Sequence, residues 1–399
     1  MKKSTIITIV AFTLGVVILA AGFILLTDNN ISKKLFSTTT TTPATTTTTR
    51  KTYEPMDLFN TTVSEYVTLG DYKNMTIETD QIEVSDEELE MQINILLAMD
   101  GEFTKEREGS ISEKVFFDFD FTGYLANEDG TKGLAFSGGS SEDKGQLAYI
   151  DGDVLNTISS SGVGSFIDGF AQGILNKNVG DTFDLAITFP EDYDPEMAGK
   201  KTIFEIKINY IAKLNFTDGW VKEYTKEEQK TCDEYREYLR DTINDMIKES
   251  NTSLVWEKII ENSIVEIPEQ QFNYVYYSYR YQIEDYAAMF GVSYEDFLKS
   301  GYASYVLGIN VSSDEALVKY VNEGLSYELL MIAIIQAEDI KVSDEEYRVM
   351  LDTLIEQTGK TEAELLEIYT EEYIRQQLAL NEVGNVVYEL NTFVLKTEE

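Results

Sequence analysis

The residues of this chain that could do chemistry are aromatic. Phe166, Ile167 and Phe170 stand in the run FIDGF at 166–170, and FPEDY follows at 189–193, ending on Tyr193. Between them Val179, Gly180 and Asp181 supply turn chemistry. Phe183, Leu185, Ile187 and Phe189 then alternate with polar residues, the period of a strand buried on one face. Two aromatic clusters therefore flank one strand, which suits a small apolar pocket on a sheet. The chain holds no histidine and one cysteine, Cys232. That excludes Ser-His-Asp and Cys-His catalysis, histidine zinc sites, an internal disulfide and a cysteine metal cluster. Cys232 is expected to be a helical packing residue.

The elements that would position these rings are readable around them. In the run VFFDFDFTG at 115–123, Phe117, Phe119 and Phe121 point one way and Asp118 and Asp120 the other, as in a strand with one wet face. Phe136 follows, and Phe204, Ile206, Ile208 and Tyr210 alternate in a closing strand. Residues 113–213 thus read as one antiparallel sheet curled over a short helix. Upstream, Ser85 with Glu88 forms a capping box, and Leu89, Ile93 and Leu96 give a helical stripe; Ser343 with Glu346 repeats the box.

From Phe216 the period becomes helical. One helix, starting near Pro268, carries Phe272, Tyr274, Tyr276, Tyr277, Tyr279, Tyr281, Tyr286 and Phe290. So many rings cannot share one apolar face of roughly 100°. Half or more are expected in the core. The remainder, drawn from Phe272, Tyr276, Tyr277, Tyr279 and Phe290, would form a surface for other polypeptides, because tyrosine offers large amphipathic area at low entropy cost.

Lys2 and Lys3 precede an uncharged apolar run, residues 4–27, with about the 20 residues needed to span a bilayer core. A cleaved signal peptide has a shorter apolar region; Ala20, Ala21 and Gly22 offer only a poor cleavage site. The run is read as an uncleaved anchor with its short end in the cytoplasm. Residues 37–49 are almost wholly threonine and can bury nothing, so they read as an extended tether. The formal charge of −39 argues against nucleic-acid binding, which rests on clustered Lys and Arg. It fits either a solvated acidic surface or a self-repelling body that holds sticky clients.

With these residues in view, the chain resembles the trigger factor family. FIDGF and FPEDY match elements of its FKBP-type prolyl isomerase domain, LGDYKNMTIE (69–78) leading into VSDEE (84–88) matches the segment before that domain, and WEKIIENSIVEIPE (256–269) matches the carboxy-terminal domain. The resemblance covers residues 67–399. It implies a proline pocket in which Phe121, Phe136, Phe170 and Phe204 supply aromatic walls. It also implies that Phe166 and Ile167 bring a backbone amide to the substrate carbonyl, and that Tyr193 offers a hydroxyl. Turning an amide costs about 18–20 kcal/mol through lost resonance, yet no bond is made or broken. A dry pocket with one backbone donor then suffices, without acid, base, metal or cofactor. Ser137 departs from the acidic residue the family carries there, and residues 138–164 are longer and more polar than its pattern. The family's basic ribosome-docking motif is absent, so ribosome binding is not carried over.

The expectation is an α+β protein: a transmembrane helix, an antiparallel FKBP-like half-barrel sheet wrapped on a short helix, and an all-α chaperone domain. Its segments would be a cytoplasmic tail (1–4), an anchor (5–27), a linker (28–56), a strand and helix segment packing with the helical domain (57–112), the isomerase domain (113–213) and the chaperone domain (214–399). The implied function is prolyl isomerisation and chaperoning of unfolded or newly exported polypeptides outside the membrane. The alternatives are a holdase without catalysis and a surface adhesin or wall-organising protein on a threonine stalk.

Overall fold

The structure is a computed structural model and describes residues 50–397. The anchor expected at 5–27 and most of the linker lie outside them; among the described residues no helix is long and apolar enough to cross a membrane.

The chain forms two compact units. Residues up to Ile82 belong to the first, with strands β1 (Val67–Thr68) and β2 (Thr76–Thr79). Residues 83–245 form the second. It opens with α1 (Asp86–Asp100), β3 (Phe103–Glu106), β4 (Phe116–Ala126), β5 (Lys132–Ser140), β6 (Gln146–Asp151), β7 (Val154–Ser159) and β8 (Gly162–Ser165). It continues with α2 (Phe170–Ile174), β9 (Thr182–Thr188), β10 (Lys201–Leu214), α3 (Asp218–Tyr224) and the first part of α4 (Cys232–Asn262). The chain then returns to the first unit through β11 (Ile264–Val265), α5 (Glu269–Phe290), α6 (Tyr294–Lys299), α7 (Tyr302–Leu307), α8 (Asp314–Glu338), α9 (Asp344–Thr358), α10 (Glu362–Leu366), α11 (Glu371–Glu389) and β12 (Thr392–Leu395).

In the second unit an eight-stranded sheet runs in the order β3-β10-β4-β6-β7-β8, with β5 on β4 and β9 on β10; every pairing is antiparallel. One core collects Phe117, Phe119, Ile150, Phe170, Ile174, Phe204, Ile206 and Ile208 between this sheet and α2. The alternation of β10 sends Phe204, Ile206 and Ile208 to that core, leaving Glu205 and Lys207 exposed. A second cluster joins Ile95 and Ala98 of α1 to Phe116, Tyr149 and Tyr210. Helix α1 therefore packs on the sheet, and it also meets the start of the helical segment: Arg236 and Arg240 of α4 pair with Glu90 and Asp86, and Trp220 Nε1 of α3 donates to Asp100, each at 2.6 Å; its capping box is formed as expected. The helix carries apolar residues on more than one face, and periodicity does not say which neighbour covers them.

The aspartates of β4 also differ from expectation. Asp118 is buried, because Asn209 Nδ2 reaches across from β10 to donate to Asp118 Oδ1 at 2.8 Å and Asp120 Oδ2 at 2.9 Å. Burial pushes the Asp118 carboxyl up. Asp120, also partly desolvated, is nonetheless held below the usual range by the hydrogen bonds from Asn209, Ser141 and the Gly145 amide. These bonds fasten the β5–β6 turn to β4.

The first unit is helical, but not all-α: β1 pairs antiparallel with β11, and β12 pairs parallel with β2. Its main core is built on α8, whose residues 329–335 are all buried, with Trp256, Val383 and Val387 against them. A separate cluster packs α5, α6 and α7 around Phe297 and Ile283.

Candidate active site

The rings expected to form a pocket meet at Phe204, on β10. Phe170, the first residue of α2, sets its ring 4.8 Å from Phe204 at 63°. Gly169 before it holds φ 96°, a left-handed turn that a side chain would resist. Phe166 lies 4.5 Å from Phe170 and 5.0 Å, edge-on, from Phe121. Phe121 is 6.4 Å from Phe204, and Phe136 meets Phe204 edge-on at 5.8 Å. All these contacts fall in the range where aromatic pairs attract.

Burial grades across the set. Phe170 and Phe204 are 1% and 3% exposed and form a floor. Phe121, Phe136, Phe166 and Ile167 are half-buried, and Tyr193 is 45% exposed at the edge. The rings thus form an apolar cluster with a buried floor and an edge that reaches solvent.

Close approach of glycines seats Phe136. A Cβ on Gly123 of β4 would lie 2.6 Å from the Phe136 ring and 2.7 Å from Phe204, and one on Gly139 would lie 2.5 Å from Phe136. The bare backbone of β4 and β5 is the bed on which this ring rests.

The backbone amides of Phe166 and Ile167 are not equivalent. Phe166 N–H donates to Leu155 O at 2.9 Å, tying the turn to β7. Among the described residues the amides of Ile167, Asp168 and Gly169 have no such partner, and the family resemblance assigns the one beside the Phe166 ring, Ile167 N–H, to an incoming carbonyl.

Phe189, to which the family resemblance assigns no role, also joins the rings. It is buried, 4.8 Å from Tyr193, 6.0 Å from Phe136 and 6.4 Å from Phe204, and it links the exposed tyrosine to the floor. The period-two run of β9 already sends it to the core face, which was the available signal. Ser137 is exposed on β5. A polar cleft of about 510 Å³ lined by Glu87, Met91, Lys114 and Tyr149 is separate from the rings.

Most of the rings expected to form a surface on α5 are wholly or partly covered. Tyr276 is buried and donates to Asp314 at 2.9 Å, where Arg280 and Tyr294 also converge at 2.9 and 2.6 Å. Phe272 stacks on Tyr276 at 5.6 Å, Tyr279 meets Tyr320 edge-on at 5.7 Å, and Tyr277 stacks on Tyr53 at 4.7 Å. Burial pushes the Tyr279 hydroxyl well above the usual range. Of the five rings proposed for the surface, Phe290 alone is exposed, at 48%. It stacks on Tyr302 at 5.2 Å, and Met289, Val292 and Tyr305 are exposed close by in the chain. The open apolar patch lies at the α5–α7 end, not along α5.

Comparison with known proteins follows the same division. Residues 150–216 match the model described as FKBP-type peptidyl-prolyl cis-trans isomerase, and residues 231–388 match bacterial trigger factor protein C-terminus. Phe166, Ile167, Phe170, Tyr193 and Phe204 fall inside the first match; Phe121 and Phe136 precede it. Trigger factor of Macrococcus caseolyticus is 31% identical over 308 residues, covering 75% of this chain and 66% of the relative. That of Halothermothrix orenii is 28% identical over 310 residues, 75% of this chain and 64% of the relative. The chain thus spans somewhat less than two thirds of the length of these relatives. A solved trigger factor chaperone structure aligns with 81% of this chain and 72% of its own, at 16% identity and a TM-score of 0.32.

Proposed function

The chain belongs to the trigger factor family, and from that premise we propose that its sheet unit isomerises prolyl peptide bonds while its helical unit holds unfolded polypeptide. The observation that carries the first half is the aromatic cluster around Phe204, with the Ile167 amide beside it. A prolyl ring seated on Phe170 and Phe204 leaves water behind. Its planar amide, the more polar state, loses solvation there, while Ile167 N–H holds the carbonyl during rotation. Phe121, Phe136 and Phe166 wall the ring, and Tyr193 at the edge offers a hydroxyl to the flanking peptide.

The test is refolding of a proline-limited substrate, whose uncatalysed phase takes tens of seconds or longer. Acceleration at catalytic protein concentration is expected; an unchanged rate would remove the isomerase reading. A holdase without catalysis is the second reading, favoured by Ser137 and by the start of the isomerase match after Phe136. The exposed Phe290–Tyr302 pair would serve clients in either case.

The clients are proposed to be newly exported chains, received outside a membrane to which residues 5–27 anchor the protein. The apolar run at 4–27 and the threonine tether support this placement. Protease added to intact cells should trim the body, and full protection would sink the placement.

A further inference from the structure

Residues 50–56 lie without regular secondary structure against one stripe of α5. Arg50 grips Asp285 with both terminal nitrogens, at 2.8 and 2.9 Å, and reaches Glu284 at 3.3 Å. Its guanidinium sits 4.8 Å over the ring of Tyr281. The Tyr281 hydroxyl accepts from Lys51 N–H and donates to Lys51 O, each at 3.2 Å. Tyr53 stacks flat on Tyr277, 4.7 Å away and 10° from parallel. Gln270 Nε2 donates to Glu54 O at 3.3 Å, and Gln271 Oε1 accepts from Met56 N–H at 2.9 Å.

The contacts descend α5 in order from Asp285 through Tyr281 and Tyr277 to Gln271, at the spacing that shares one helix face. Six peptide steps of extended chain and fourteen residues of helix both measure about 20 Å. The two therefore stay in step over the whole stripe. The contacts are also of two kinds. Tyr281, Gln270 and Gln271 bind main-chain groups that any peptide carries. The Asp285–Glu284 pair and the Tyr277 ring read side chains: a cation, then an aromatic three residues on.

We propose that this face of α5 is a binding site for extended polypeptide segments of the Arg-x-x-aromatic kind, and that residues 50–56 are its resident occupant, displaced by such a segment from a client. The site rests on the chaperone reading above and names the client chemistry it selects. Arg50 and Asp285 remain largely solvent-exposed, so the ion pair is of the weak, exchangeable sort. Occupation by a tethered segment keeps the acidic and aromatic stripe covered until a competitor outweighs its high local concentration.

The experiment uses a fluorescent peptide with the sequence of residues 50–58 and the full-length protein, read by anisotropy. The Arg50→Ala/Tyr53→Ala double variant, whose own segment is weakened, should bind the peptide at least about tenfold more tightly than the unaltered protein. A peptide carrying Glu for Arg50 and Ala for Tyr53 should bind neither. Independently, excess unlabelled peptide should speed hydrogen exchange at the Lys51 and Met56 amides of the unaltered protein. Equal binding by both proteins, or exchange unmoved at saturating peptide, overturns the site. Suppression of client aggregation is measured alongside. If suppression persists while the peptide displaces nothing, this site fails and the chaperone reading stands; peptide displacement without suppression upholds the site and fails that reading.

Discussion

The ring of Phe170 meets the ring of Phe204 edge-on, 4.8 Å between centroids, although one begins a one-turn helix and the other lies in a long strand. Both are buried, so this pair is the floor on which the remaining rings depend. Phe170→Leu keeps an apolar side chain there and should cost about 1–2 kcal/mol of stability. Loss of the flat floor should lower catalysed prolyl isomerisation at least about tenfold. Refolding kinetics and thermal unfolding on the same sample separate the effects, and unchanged kinetics would detach the floor from catalysis.

Gly123→Ala tests how Phe136 is seated. The new Cβ would intrude on both Phe136 and Phe204, and overpacking of this sort costs about 1–3 kcal/mol. The ring of Phe136 should lift off β4, with isomerase activity reduced more than aggregation suppression. Equal loss of both activities would indicate general unfolding.

Tyr193→Phe removes a hydroxyl from an exposed ring that packs on Phe189. Stability should change by less than about 0.5 kcal/mol, as for surface substitutions generally. If the hydroxyl steadies the substrate peptide, isomerase activity should fall severalfold at unchanged melting temperature; full activity would assign Tyr193 a packing role only.

Asp314 accepts hydrogen bonds from Tyr276, Arg280 and Tyr294 at the first turn of α8. Asp314→Ala takes the acceptor from the Tyr276 and Tyr294 hydroxyls, while Arg280 keeps Glu284 at 3.1 Å, and should destabilise the helical unit by about 1–3 kcal/mol. Denaturant unfolding followed by tyrosine fluorescence reads this directly, and an unchanged midpoint would show that the cluster contributes little.

Glu328 on α8 keeps some solvent exposure, but its carboxyl is enveloped by packed neighbours and burial pushes it up to about 7. Its ordinary value is 4.5. Between these values the folded state holds the proton more tightly than the unfolded chain, so stability falls as pH rises from about 5 to 8. The full penalty is of the order of 3 kcal/mol and is present above pH 7. Glu328→Gln should flatten this part of the stability curve and raise the melting temperature at pH 8. A variant with the same slope as the unaltered protein would exclude Glu328 as its source.

The sequence by itself determined the local elements and the kind of chemistry open to them. The period of two over 183–189 became β9, the boxes at Ser85 and Ser343 became helix caps, and the absence of histidine left shape and dryness as the working principle. These are properties of neighbours in the chain, set by sterics and short-range hydrogen bonds. The tertiary structure alone decided what covers each face. Asp118 is buried because Asn209, 91 positions away, reaches it, and Tyr276 turns inward because Asp314 stands across from it. Arg50 lies on α5 because Asp285, 235 positions along, offers the matching charge. A periodic pattern marks a side as apolar or polar, but burial depends on which distant segment arrives, and that is fixed only when the whole core closes.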